Sequence, residues 1–273
     1  MNRRVAITIV CILCAAIPIA AQTTAPEGMA LIPAGEYWMG RVTFFFVDAV
    51  GLFERDRSDD YPAHRVYVDA FYMDKYEVTN ADYARFIEAK GVKKPWHWPQ
   101  GQIPKGEERF PIYNVSWQEA DAYCKWVGKR LPTEAEWEKA ARGGLDRKRF
   151  PWGDEDPGSG GEGDPEGYAG RGGSRLANIG SYHAAIRVGS FPPNGYGLFD
   201  MVGNVAEFTS DWYDNGYYAN SPKDNPKGPE TGLYKVIRGG SWAERDPRAL
   251  MNHYRNFTDP ELRASSIGFR CAK

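Results

Sequence analysis

Thirty glycines and nineteen prolines in 273 residues constrain this chain more than any motif does. Together they make up about 18% of it, against a usual share of roughly 12%. Glycine and proline interrupt helices and strands, so long regular elements are excluded and much of the backbone must run as loops. Phe, Trp and Tyr supply 14% of the residues, enough large rings to hold such a loop-rich chain around a core. With 42% apolar and 26% charged residues the chain is globular, which excludes disorder, collagen and coiled coil. A formal net charge of -2 and a pI near 6.1 leave no basic field to hold a phosphate backbone, so no nucleic-acid partner is expected.

The amino-terminal segment reads as a targeting signal. Asn2, Arg3 and Arg4 precede an apolar run over 5–21 that ends in small residues, the pattern of a secretory leader. Residues 1–21 are therefore assigned to a signal peptide and 22–273 to one mature domain, secreted or periplasmic, with no membrane span after cleavage. An uncleaved anchor is the second reading, because the apolar run is long for a leader. Leu13 before Cys14 and Val10 before Cys11 do not match a lipoprotein site. Outside the leader only Cys124 and Cys271 remain. In an oxidising compartment two such thiols pair, or else stay buried and free.

Three helices are expected, after Thr79, Ser116 and Thr133. Tyr83, Phe86 and Ile87 share one face of the first. Ser116 with Glu119 and Thr133 with Glu136 form capping boxes, each putting a hydroxyl and a carboxylate within reach of orphan N–H groups at a helix start. Gly128 and Gly143 mark the ends of the last two. Short strands are expected over 29–32, 65–72 and 234–237. The fold class is α+β with little regular secondary structure. The stretch 154–173, rich in Gly and acidic residues, reads as a long surface loop.

Several blocks then occur in order: 29–40 (MALIPAGEYWMG), 76–83 (YEVTNADY), 114–144 (NVSWQEADAYCKWVGKRLPTEAEWEKAARGG), 194–212 (NGYGLFDMVGNVAEFTSDW), 238–242 (RGGSW) and 267–270 (IGFR). This sequence resembles the formylglycine-generating enzyme family, also called the sulfatase-modifying factor family, over nearly all of 29–273. The resemblance implies that family's C-type-lectin-related fold. It also implies a structural disulfide between Cys124 and Cys271, which match the positions that join the second helix to the carboxyl terminus.

Active members of the family are similar to one another in using copper and O2 to convert a sulfatase cysteine into formylglycine. Cu(I) is soft and takes thiolates, and the family places two cysteines between the GGS and GFR segments. Residues 242–270 here contain none. Glu244 stands near the first missing thiol and Ala249 near the second, so copper is not expected. Ala206 occupies a position where the oxidases commonly carry a groove tryptophan, which widens the pocket. Ser241 matches the family's active-site serine, although a Gly-Gly-Ser turn can also use its hydroxyl to satisfy backbone.

For calcium the resemblance implies Asp200, Gly203, Val205 and Glu207: two carboxylates and two carbonyls, a hard-oxygen set suited to Ca2+. Asn178 and Ile179 match the first half of the family's other calcium site, without the acidic residue that closes it. His64, His97, His183 and His253 lack metal-ligand spacing and are read as solvated or core residues. Glu244 and Arg255, with Arg245 and His253 near in sequence, are weighed as a charged pocket and as ordinary loop charge. The apolar run 42–53 (VTFFFVDAVGLF) departs from the family and is either a docking surface or an added strand. Sequons at Asn114 and Asn256 matter only in a glycosylating host.

These readings lead to a calcium-stabilised, disulfide-closed pseudoenzyme that binds a protein or peptide ligand in the groove left by the thiols. The alternative is a cysteine-independent oxidative tailoring enzyme, an oxidoreductase in which Ser241 or Glu244 acts on substrate. A third reading keeps formylglycine-generating activity by family membership.

Overall fold

The computed structural model describes residues 25–42, 59–155, 157, 176–179, 184–244 and 246–273. The expected leader 1–21, all but the first residue of the apolar run 42–53, Arg245, His183 and most of the stretch 154–173 expected to be a loop lie outside the described residues.

Among the described residues, eight short strands and three α-helices carry the fold. Strand β1 (Met29–Ile32) pairs antiparallel with β4 (Phe71–Asp74), and β2 (Gly35–Met39) with β3 (His64–Val68). A four-stranded sheet runs in the order β7 (Arg255–Thr258), β6 (Lys235–Arg238), β5 (Ala206–Trp212), β8 (Ile267–Gly268), with β8 parallel to β5. The expected strand over 65–72 is in fact two. Val66 and Val68 are buried, and then Phe71 and Met73 are, so the inward phase slips by one at Asp69–Ala70. The slip follows from β3 and β4 having different partners, since a strand buries every second side chain against one sheet only.

Helices α1 (Asn80–Lys90), α2 (Trp117–Trp126) and α3 (Glu134–Ala141) start at Thr79, Ser116 and Thr133. The two expected capping boxes form: the Ser116 and Thr133 hydroxyls accept from the N–H of Glu119 and Glu136, whose carboxylates accept in return. Thr79 and Asp82 make a third box that sequence reasoning missed, because its N3 residue is Asp rather than Glu or Gln. Gly128 and Gly143 adopt left-handed φ just past α2 and α3, as C′ glycines do.

Two apolar clusters form the core. One gathers Trp137, Phe150, Met201 and Leu250 with the β1–β4 strands. The other packs Tyr83, Phe86, Tyr123 and Phe269 between α1, α2 and β5. Inside the second, Cys124 and Cys271 are bonded, with Cα atoms 5.7 Å apart and 147 residues between them. Closing a loop of that length is worth about 5 kcal/mol in the chain-entropy account. Among the described residues no helix is long and apolar enough to cross a membrane.

Candidate functional site

The turn that feeds β5 is built from left-handed residues: Asp200, Gly203 and Asn204 have φ of 50°, 78° and 55°. At Gly203 a Cβ would fall 2.6 Å from the Asn178 carbonyl oxygen, so only glycine lets the two segments touch. The Gly203 N–H donates to Gly239 O at 2.9 Å, the Asn204 N–H to Asn178 O at 3.0 Å and the Trp242 N–H to Asn204 O at 2.9 Å. The turn expected to hold calcium, Asn178 and the Gly-Gly-Ser turn, which sequence reasoning treated separately, are thus one assembly.

Three buried carboxylates meet there. Glu207 is gripped by Arg270, whose Nε and Nη2 donate at 2.8 and 2.7 Å, and by Trp137 Nε1 at 2.8 Å. Glu77 accepts from the Asn204 side-chain amide at 2.7 Å and the Val205 N–H at 3.1 Å. Asp200 accepts from the Gly189 N–H. Burial, with Asp200 and Glu207 adding repulsion, holds the Glu77 carboxyl well above the usual range. Burial also pushes Asp200 up to about 6. Arg270 is the cation facing all three, so the cluster carries more negative charge than it neutralises.

This donor set suits a hard cation. Ca2+ takes oxygen alone and accepts carbonyls beside carboxylates, and Asp200, the Gly203 and Val205 carbonyls and Glu207 are the candidates. A cation would share Glu207 with Arg270. Among the described residues no three His, Cys, Asp or Glu side chains form a metal group by themselves, so backbone carbonyls have to complete any shell. Asn178 is fully buried and its Oδ1 has no hydrogen-bond partner among the described residues, while its Nδ2 donates to Ala184 O and Asn204 Oδ1. Sequence reasoning missed Glu77, Asn204 and Arg270 as members of this cluster. All three stand in blocks that carried the family resemblance, and no local spacing marks them.

The catalytic candidates fare differently. Ser241 is buried, and its hydroxyl accepts from the Ala243 N–H at 3.2 Å, the backbone-satisfying use of a turn serine. Glu244 is half-buried and its N–H donates to Ser241 O. Arg255, weighed above as part of a charged pocket beside Glu244, lies in the core. Its Nε and Nη2 donate to Glu134 at 2.7 and 2.9 Å, its Nη1 donates to Asp59 O, and its guanidinium lies 4.3 Å from the Tyr218 ring centre. Arg238 joins from the next strand, reaching Glu134 at 3.0 Å and Glu138 at 2.7 Å. The pairing arises because β7 sets Arg255 opposite Arg238 on β6, and α3 aims Glu134 and Glu138, one turn apart, at both. His253 is likewise buried, with Nδ1 3.0 Å from Asp60, a core histidine.

Copper does not fit. Cys124 and Cys271, the cysteines among the described residues, are bonded to each other, so among these residues a soft Cu(I) ion has no thiolate near Ser241. A groove of about 530 Å³ lies elsewhere, lined by Val68, Phe71, Arg130, Glu136, Ser210 and Lys227 among others. None of the calcium or catalytic candidates that the resemblance implies lines it.

Comparison with known proteins agrees with this architecture. Residues 15–273 match the Sulfatase-modifying factor enzyme 1-like domain. The chain is 36% identical to a formylglycine-generating enzyme of Streptomyces coelicolor, over 93% of this chain and 91% of that one. It is 31% identical to the inactive C-alpha-formylglycine-generating enzyme 2 of Mus musculus, over 89% and 85%. Among solved structures, PvdO from Pseudomonas aeruginosa superposes with a TM-score of 0.69 at 28% identity, covering 89% of this chain and 93% of that one. With a family model matched over 15–273 and a relative 36% identical across nearly its whole length, the chain belongs to the sulfatase-modifying factor, or formylglycine-generating enzyme, family.

Proposed function

We propose that this chain is an exported member of the family that has given up copper oxidation and serves as a calcium-stabilised binding or accessory protein for a protein or peptide. One observation carries the proposal: 242–270 holds no cysteine, while Cys124 and Cys271 are consumed in a disulfide. A thiolate-ligated Cu(I) centre has no ligands to form from. The fates of Ser241 and Arg255 support the same reading, since one hydroxyl serves a turn and one guanidinium serves the core. Membership does not restore the activity, as a relative described as inactive is nearly as similar as one described as a formylglycine-generating enzyme. Calcium belongs to the proposal because the Asp200 and Glu207 carboxylates and the turn carbonyls supply hard oxygens.

The competing reading, retained formylglycine generation, is favoured by the 36% identity itself. The test is incubation of the purified 22–273 chain with copper, O2 and a sulfatase-motif peptide, followed by mass spectrometry. No formylglycine is expected while a control enzyme converts the peptide. Conversion would refute the ligand argument and require a metal site without thiols.

A further inference from the structure

Between α1 and α2 the surface carries an arrangement that neither the calcium turn nor the missing thiols explain. Trp96 stands 70% exposed. Beside it His97 stacks on Tyr113, ring centres 4.0 Å apart and planes 21° from parallel. Asn114, only 2% exposed, takes a left-handed φ of 58°, held by its N–H donating to Ala264 O at 3.0 Å. Its Nδ2 lies 3.2 Å from His97 Nδ1, and its Oδ1 is buried without a hydrogen-bond partner among the described residues. Lys93, Lys94, Trp96, Asn114, Glu119 and Arg263 line a small pocket of about 30 Å³.

Size, charge and hydrogen bonding each narrow what the pocket takes. At about 30 Å³ it admits no more than a few water-sized groups, enough for a hydroxyl but not for a sugar ring, and the rest of a ligand must lie outside, against Trp96. Burial pushes the His97 imidazole down to about 4, so the ring is neutral and its Nδ1 can donate or accept with the tautomer. Whichever way the Asn114 amide is turned, one of its polar atoms is left unpaired. A hydroxyl satisfies either orientation because it both donates and accepts, whereas an ammonium only donates. An ammonium is also disfavoured by charge. Glu119 is bound to Arg263 at 2.9 Å and to the Ser116 N–H at 2.8 Å, and Lys93 and Lys94 are exposed with no ion-pair partner among the described residues. The rim is therefore cationic.

We propose that this site binds an acidic carbohydrate. A pyranose ring lays its C–H face on the Trp96 indole, one hydroxyl enters the pocket to meet Asn114, and a carboxylate or sulfate substituent lies against Lys93 and Lys94. Asn114 is the acceptor residue of a sequon, yet its burial and the hydrogen bond between its amide and His97 turn it from a glycan attachment point into a glycan-reading group. The site stands independently of the oxidase question, because none of these residues lies in the Ser241 turn or the carboxylate cluster.

The test is isothermal titration calorimetry of the full 22–273 chain with hexagalacturonate and with a heparin-derived hexasaccharide, and maltohexaose as the neutral control. Binding of at least one acidic hexasaccharide is expected at low salt, falling at high salt, with maltohexaose about tenfold weaker or worse. Binding of hexagalacturonate shows that a carboxylate suffices, whereas binding of the heparin hexasaccharide alone points to sulfate. Trp96→Ala should weaken binding by about tenfold with unchanged melting temperature, since the indole is a surface group. Replacing Lys93 and Lys94 by Ala should remove most of the salt dependence. Binding of neither acidic ligand, or equal affinity of Trp96→Ala, overturns the proposal and leaves a buried water as the pocket's sole occupant.

Discussion

Asp211 makes the stability of this protein fall with rising pH, through a route that a single substitution closes. The residue sits on β5 behind the start of α3, where its carboxyl accepts from the Glu134 N–H at 2.9 Å and the Ser210 hydroxyl at 3.0 Å. Burial, reinforced by repulsion from Glu134, pushes it up to about 7 from an ordinary 3.8. The folded state therefore keeps a proton that the unfolded state releases. Between pH 3.8 and about 7 the unfolded chain holds one proton fewer, so stability drops by about 1.4 kcal/mol per pH unit and by on the order of 4 kcal/mol in all. The contribution is fully present below the unfolded value and gone above the folded one. Asp211→Asn keeps an acceptor for both donors and cannot ionise. Urea unfolding of both proteins from pH 4 to 8 should give a stability difference that shifts in favour of Asn by that amount. Asp200 and Glu77 titrate in both proteins and largely cancel in the difference. A difference that stays flat across the range would refute the burial of an ionisable Asp211.

Three further outcomes are expected. EDTA should lower the melting temperature and excess Ca2+ restore it, with a stabilisation of about 2.7 kcal/mol at one hundred times Kd; Asp200→Ala should abolish the response, and no EDTA shift in the parent removes calcium from the proposed function. Replacing Cys124 and Cys271 by Ser should cost up to about 5 kcal/mol, read as a lower urea midpoint, given the 147-residue loop. Glu134→Gln removes the carboxylate that pairs with Arg255 and with one arm of Arg238 inside the core and should destabilise by about 3–5 kcal/mol; a loss under about 1 kcal/mol, the range of a surface pair, would show that water reaches these groups.

The parts of the fold that were legible share a physical cause. A capping box is a relation between residues three apart, so Ser116 with Glu119 and Thr133 with Glu136 fix two helix starts whatever the rest of the chain does. The strand at Met29–Ile32 was equally plain, and 234–237 differs from the observed β6 by one residue. The boundary inside 65–72 was not legible, because alternation reports which side chains point inward and not which strand lies alongside. For the candidate site, ordered blocks located Asp200, Gly203, Val205 and Glu207, whereas the hydrogen bonds joining them to Asn178 and Gly239 run between segments more than twenty residues apart. Ser241 and Arg255 looked alike on paper as polar groups near a catalytic turn. Their contacts separated a turn hydroxyl from a core cation.

Glycine and proline density, the capping boxes, the lone cysteine pair and the empty 242–270 segment were determined by the amino-acid order alone, since each is local or a matter of composition. The structure decided everything that depends on who meets whom. Glu134 and Arg255 are 121 residues apart and 2.7 Å from contact to contact, and Glu77 reaches Val205 across 128 residues. Such meetings are set by the closing of loops around a shared core, whose free energy sums many burial terms that no single segment contains.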